Sequence, residues 1–201
     1  MNSPDAVQYH LERAIALDPD YSAPLFRLAL YMQEQGRDPE AMQYLRQTVE
    51  VAGRSADMQA VRATEYGEHH QFDRARHALI KSHEEKALAA RASYELALIL
   101  LSTGDSGEAE KQFTQAVESD PTLADAYYQL GLMALRDDRE KEARRFFENT
   151  VAVDLKHAQA HIELAKIISD DEDAELAKNH YLIALDLDAD LRDEGLELRF
   201  E

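Results

Sequence analysis

Histidines are the side chains that come closest to a metal-binding arrangement in this sequence. His157 and His161 stand four residues apart, a spacing that places two imidazoles on one helix face, as in zinc sites. Yet His161 falls where an aromatic core residue belongs, and the pair straddles a predicted helix start, so we interpret both as structural. His69, His70 and His77 surround a predicted turn, where neighbouring histidines point in different directions. We therefore expect no metal ion and no cofactor.

Acidic residues form the other chemical candidate. The segment DLDADLRDEGLE, residues 186–197, has carboxylates in five ligand positions of a calcium loop. Leu191 stands where such a loop needs glycine, and the segment aligns with the end of an earlier repeat, so we interpret it as a repeat boundary. The chain contains no cysteine, P-loop, G-x-S-x-G or H-E-x-x-H motif. We predict that the protein is not an enzyme and has no catalytic residue.

A period of 34 residues organises the chain. One small residue marks each copy. A large apolar residue lies four positions after this marker, and a leucine lies thirteen positions before the marker. The second copy alone has Arg62 in place of that leucine. Such a period indicates stacked copies of one supersecondary unit. The marker residues are Ala41, Ala75, Ala109, Ala143 and Ala177.

Each copy is predicted to be a pair of helices. Apolar residues recur three and four positions apart on both sides of a polar turn, and no alternating strand pattern occurs, so the chain is predicted to be all-α. We expect one domain over residues 1–191, followed by a tail at 192–201. Its predicted parts are a half repeat at 1–21 and repeats at 22–55, 56–89, 90–123, 124–157 and 158–191.

The copy at 124–154 resembles the tetratricopeptide repeat (TPR). Its Tyr127, Leu130, Gly131, Ala143 and Phe147 match the family pattern of aromatic, leucine, glycine, alanine and aromatic. The resemblance extends over everything before the tail. It implies a right-handed α-solenoid of antiparallel helix pairs whose first helices line a concave groove. It also implies protein–protein interaction, most often the binding of a peptide.

The copy at 56–89 departs most from the pattern. Arg62 replaces the core leucine, Gln59 the aromatic residue and Ser82 a small apolar one. Between Gly67 and Gly104 there is no glycine or proline, so the junction around residues 84–92 is either irregular or a continuous helix. We expect this copy to be the least stable.

The resemblance places the partner-binding groove on defined faces of the first helices. Leucines stand where the family often has larger polar residues, which creates an apolar strip centred on the third and fourth copies. The alternative is that neighbouring helices bury these side chains. The predicted groove residues are Phe26, Leu30, Arg91, Tyr94, Leu98, Leu101, Tyr128, Leu132, Leu135, Ile162 and Lys166.

Charge limits the class of partner. The formal net charge is −18, and residues 90–201 hold 26 of the 40 acidic residues but 12 of the 22 basic ones. Such an excess repels phosphate backbones and anionic membranes, so we expect a protein or peptide partner and no nucleic acid. With no signal peptide, no apolar run long enough to insert in a membrane and no cysteine, the sequence predicts a cytoplasmic location.

Two functions remain open from the sequence. The first is a non-catalytic scaffold that binds a peptide or amphipathic helix in its groove. The alternative is an accessory or regulatory domain of a larger protein whose catalytic or membrane part lies outside this chain. The apolar last repeat and the half-repeat start also suggest a homo-oligomer formed through the repeat ends. Leu196, Leu198 and Phe200 alternate in the tail, which favours an extended segment over a helix. Such a tail docks on the terminal repeat, docks on another copy of the chain, or is disordered, and disorder is the expectation.

Overall fold

A computed structural model describes residues 4–170 and 173–200 of the chain. These residues are mostly helical and include no strand, which confirms the all-α prediction. No helix in this part of the chain is long and apolar enough to cross a membrane. The helices are α1 (Pro4–Leu17), α2 (Ser22–Glu34), α3 (Asp38–Glu68), α4 (Phe72–Ser102), α5 (Ser106–Ser119), α6 (Ala124–Arg136), α7 (Glu140–Val153), α8 (Ala158–Asp170), α9 (Ala174–Leu187), a 3-10 turn (Ala189–Leu191) and α10 (Glu194–Phe200).

The chain forms two compact units, Met1–Pro121 and Thr122–Glu201. In the first unit α2 packs on α3, α3 runs along α4, and α4 packs on α5. In the second unit α6 pairs with α7 and α8 with α9, while α7 contacts α8. Short turns join α2 to α3, α3 to α4, α4 to α5 and α6 to α7, as expected for antiparallel helix hairpins.

The periodic residues form the core of four of the five copies. Their marker alanines are completely buried, and the large residues four positions later are also buried. The small side chain lets two helices approach closely, and the large one fills the adjacent space. These large residues are Leu45, Phe113, Phe147 and Tyr181.

The second copy is packed differently. Leu79, which follows its marker alanine, is 57% exposed, and Arg62 is also exposed. A guanidinium group without a partner is too costly to bury, so the helix pair meets through small residues instead. Its buried residues are all small. The Ser82 hydroxyl donates a hydrogen bond of 2.8 Å to the carbonyl of Ala56. The buried set is Ala56, Ala63, Ala78, Ser82 and Ala89.

Four of the turns inside helix pairs share one backbone conformation. Gly36, His70, Gly104 and Asp138, which are 34 residues apart, all have a positive φ, between 57° and 90°. His70 adopts this strained conformation without being glycine, so the turn of the divergent second copy is retained. The period therefore fixes the hairpin turn even where it does not fix the core.

Two junctions between copies are continuous helix. The helices α3 and α4 each span 31 residues and pass through the predicted boundaries at 55/56 and 89/90. The sequence pattern left open whether the junction at 89/90 is irregular or helical. It did not predict that the helix continues through 55/56. Other copies end at Asp120 and Asp154, whose extended backbone terminates the helix. Gly53, inside α3, has no such effect.

The prediction of an extended tail is wrong, because residues Glu194–Phe200 form α10. Leu196 and Phe200 lie four residues apart on one helix face, while Leu198 is 74% exposed. Leu196 is buried with Ile162 and Tyr181, whose ring centroid lies 5.8 Å from that of Phe200. The tail therefore packs on the last repeat, which is one of the alternatives that the sequence left open and differs from the expected disorder.

Candidate functional site

The predicted groove residues of the first unit lie on α2 and on the second half of α4. Leu30, Tyr94, Leu98 and Leu101 are half-buried, whereas Phe26 is only 6% exposed and belongs to the core. The Tyr94 ring packs against the buried ring of Phe113 at a centroid distance of 5.6 Å. This contact holds the tyrosine in place while leaving part of it accessible.

Charged groups lie beside these apolar residues of the first unit. Arg91 is exposed, and its guanidinium carbon lies 5.4 Å from the centroid of the Phe26 ring, within cation–π range. Burial raises the pKa of the half-buried Glu95 carboxyl, and the charge of nearby Arg91 partly opposes that effect. These predicted groove residues of the first unit thus offer a partner leucines, the Tyr94 ring and the Arg91 cation.

The predicted residues of the second unit lie on α6 and α8. Tyr128, Leu132 and Leu135 are half-buried and pack against the buried cluster that contains Phe147. Lys166 is exposed, and its ammonium lies 2.9 Å from the Glu163 carboxylate.

Tyr128 has two aromatic neighbours. Its ring centroid is 5.7 Å from that of Phe147 and 4.6 Å from that of His157. Burial, and to a smaller extent the Glu163 carboxylate, raises the pKa of the Tyr128 phenol, so the neutral form is favoured. Tyr94 is the equivalent residue of the preceding repeat, and its half-buried ring also packs against a buried phenylalanine.

Ile162 lies elsewhere. It is 4% exposed and packs in the cluster that receives Leu196 of the tail, so α10 helps to bury it. The structure therefore places Phe26 and Ile162 in the interior and the remaining predicted residues at least partly at the surface.

A histidine pair links α8 and α9, with one member buried and the other half-buried. His161 is 4% exposed, and its Nδ1 lies 2.9 Å from Nδ1 of His180. Because its Nε2 lies 3.2 Å from the carbonyl oxygen of Leu155, Nε2 must donate and Nδ1 must accept. His180 is then the donor in the pair. The sequence grid identified His161 as a core residue, but it gave no signal for its partner.

Acidification is expected to lower the stability of the folded protein through this pair. Burial lowers the pKa of His161 and of His180, and for His180 the neighbouring His161 adds to the effect. The unfolded chain, with histidine pKa values of about 6.5, takes up protons first, so their contribution to stability is present above that pH and is lost below it. Urea unfolding of the protein should show this loss between about pH 7.5 and about pH 5.5.

The His180→Gln variant separates this pair from other titrating groups. Its free energy of unfolding should change less with pH over that range than that of the native protein. His10, an exposed residue of α1, provides the matched control, and His10→Gln should keep the native slope. Equal slopes in all three proteins would contradict a role for the pair.

The described residues hold no group of three or more histidine and carboxylate side chains placed to bind a metal ion. His161 instead uses both ring nitrogens in hydrogen bonds to protein atoms.

One surface feature was not predicted. A cleft of about 420 Å³ lies between α3 and α4 in the second copy and includes Arg62, Arg74, His77 and Lys81 in its lining. The feature of the sequence that relates to this cleft is Arg62, which replaces the core leucine of the repeat. In the sequence alone, Arg62 predicts only low stability of this copy.

Comparison with known proteins identifies the repeat. Two sequence models of a family described as Tetratricopeptide repeat match the chain, one over residues 1–64 and the other over residues 61–124 and 100–152. No curated protein matches the sequence.

Solved structures show the same fold. A crystal structure of MamA is similar with a TM-score of 0.62 and 16% sequence identity, over 93% of this chain and 90% of that one. A second structure of MamA protein has a TM-score of 0.60 and 17% identity, over 92% of this chain and 83% of that one. At such identities the likeness concerns the helical-repeat fold alone.

Proposed function

The chain belongs to the tetratricopeptide repeat family, and from this premise we propose that it is a non-catalytic scaffold that binds a protein partner through the first helices of its repeats. The proposed contact surface consists of the accessible predicted residues of each unit. We call the set on the first unit the α4 face, formed by Leu30, Arg91, Tyr94, Leu98 and Leu101. The set on the second unit is the α6 face, formed by Tyr128, Leu132, Leu135 and Lys166.

The observation that carries the proposal is the common arrangement of Tyr94 and Tyr128. Each tyrosine is half-buried, each packs on a buried phenylalanine of the following helix, and each has a leucine four residues later. An aromatic ring that is already held in place loses little conformational entropy when a partner binds. Leucine and aromatic surfaces of this kind suit the apolar side of an amphipathic helix or the anchors of an extended peptide.

A paired substitution tests both faces together. Tyr94→Ala/Leu132→Asp removes the ring from one face and introduces a charge in the other. The Tyr9→Ala/Leu182→Asp variant is its chemical match, because Tyr9 is 55% and Leu182 53% exposed outside the two faces. Affinity purification with each protein, quantified by mass spectrometry, should recover the same partner with the native protein and the control and lose it with the first variant.

The single variant Tyr94→Ala guards against misfolding, since Leu132 also contacts the core cluster. It should reduce partner recovery without changing the thermal unfolding midpoint of the second unit. Undiminished recovery with Tyr94→Ala/Leu132→Asp would show that the partner binds elsewhere.

The proposal includes a cytoplasmic location and no catalytic activity. The absence of cysteine from the sequence fits a reducing compartment, where disulfides are rare. Support for a non-catalytic role comes from the family, whose usual role is binding. Localisation of the tagged protein in cells tests the first statement directly.

A further inference from the structure

We propose that the cleft in the second copy is a second binding site, distinct from the α4 and α6 faces, and that it takes an acidic segment of a protein partner. This α3–α4 cleft has a volume of about 420 Å³ and lies entirely within the first unit. The residues that carry the argument are Arg62, Tyr66, Asp73, Arg74, His77 and Lys81.

The cations of the cleft lack anionic partners. Among the described residues, no carboxylate lies within ion-pair distance of Arg62, Arg74 or Lys81, although the chain has 40 acidic residues for 22 basic ones. Asp73 is the single acidic residue in the described lining. Three cations around one cleft repel one another, and a carboxylate-bearing ligand relieves that repulsion while gaining charge-assisted hydrogen bonds.

The cleft exists because this copy departs from the repeat pattern. Arg62 stands at the position of the core leucine. Two copies later that position holds Leu130, which is 2% exposed. The helices meet instead through Ala63, Ala78 and Ser82, which leaves the longer side chains around an opening. Both walls belong to continuous 31-residue helices, so the opening is formed before a ligand arrives.

One guanidinium in the cleft is already oriented. The guanidinium carbon of Arg74 lies 6.0 Å from the centroid of the Tyr66 ring, and its Nη1 donates a hydrogen bond of 2.9 Å to Oε1 of Gln71. An arginine fixed by a ring and an amide presents its remaining N–H groups in the fork that a carboxylate accepts.

An exposed apolar surface around Phe72 adjoins the cleft and narrows the class of ligand that fits there. An open surface depression of about 560 Å³ shares Asp73 and Arg74 with the cleft and is also lined by His70 and Phe72. Phe72 is 67% exposed, and its ring centroid lies 5.9 Å from that of His70. The fitting ligand is therefore a peptide segment with several Asp or Glu residues next to one aromatic or aliphatic side chain.

Fluorescence anisotropy with a synthetic probe tests the site. The probe is a fluorescein-labelled peptide of alternating Asp and Glu residues that ends in Phe, and the comparison peptide has Asn and Gln instead. The full chain should bind the acidic probe, and Arg62→Glu/Lys81→Glu should weaken that binding about tenfold or more. Arg76→Glu/Lys86→Glu is the matched control, because both residues are exposed on α4, lie outside the cleft and change the net charge equally.

The control should bind nearly as well as the native protein, and the Tyr94→Ala/Leu132→Asp variant should also retain the probe. Equal weakening by the two charge reversals, or equal binding of the amide peptide, would overturn the proposal. No binding by the native protein, loss with the Tyr94→Ala/Leu132→Asp variant, or tighter binding of a labelled single-stranded DNA would do the same. Arg62→Gln/Lys81→Gln, checked by circular dichroism, shows that any loss comes from the missing cations and not from misfolding.

Discussion

Replacing Leu130 by arginine should unfold the second unit, although arginine is the native residue two periods earlier, at Arg62. Leu130 is 2% exposed, whereas Arg62 is exposed and lines the α3–α4 cleft. Burying a guanidinium among apolar side chains without a partner costs about 4 kcal/mol or more, a large share of the stability of a small domain. Urea unfolding followed by circular dichroism should show the loss, and hydrogen exchange should locate it in α6 to α9.

The inverse change supplies the control. Arg62→Leu removes an exposed side chain, so the free energy of unfolding should change by less than about 0.5 kcal/mol. The two substitutions exchange the same residue types at equivalent places of the repeat. If Leu130→Arg were tolerated within about 1 kcal/mol, burial at that position would not be what distinguishes the ordinary copies from the second one.

The repeat period allowed the core of most copies to be predicted because equivalent residues have equivalent neighbours. Ala109 and Phe113 are buried for the same reason as Ala143 and Phe147: a small and a large side chain fill complementary spaces between two helices. The same reasoning is wrong for Leu79, which is exposed. Arg62 alters the packing of the whole pair, an effect that extends beyond the position where the sequence changes.

Helix ends were less predictable than helix faces. Whether a helix stops between two copies depends on a few local groups, and Gly53 alone does not stop α3. The tail shows a different ambiguity, since Leu196, Leu198 and Phe200 fit a strand by alternation while Leu196 and Phe200 also fit one helix face. Contact with Tyr181 decides between the two, and the sequence does not reveal that contact.

The candidate site was predictable in position but not in exposure. The grid placed Tyr94 and Tyr128 correctly on first helices, yet it could not show that Phe26 is buried or that α10 helps to cover Ile162. Those outcomes depend on which other helix packs nearby. The α3–α4 cleft shows the complementary point, because a position that breaks the repeat pattern is where a surface unlike the others arises.

Truncating Phe147 to alanine should cost about 3–5 kcal/mol of stability, since its ring is completely buried. The ring lies so close to Gly131 that a β-carbon there would be 2.5 Å from it, which leaves the surroundings little freedom to fill the cavity. Phe146 is the matched neighbour, because it is half-buried at the edge of the same cluster. Phe146→Ala should cost clearly less, about 1 kcal/mol, in the same urea titration. Equal losses would contradict the assignment of Phe147 to the centre of the core.

The same residue connects the core with the proposed function. Tyr128 rests on the Phe147 ring, so Phe147→Ala removes the support of the α6 face as well as stability. Phe147→Leu keeps the site filled with an apolar side chain and should retain more of both properties. At a temperature where all variants are folded, partner recovery should fall in the order native, Phe147→Leu, Phe147→Ala, while Phe146→Ala remains close to native. If Phe147→Ala were folded and recovered the partner fully, the orientation of Tyr128 would not matter for binding, and the α6 face would lose its main support as a contact surface.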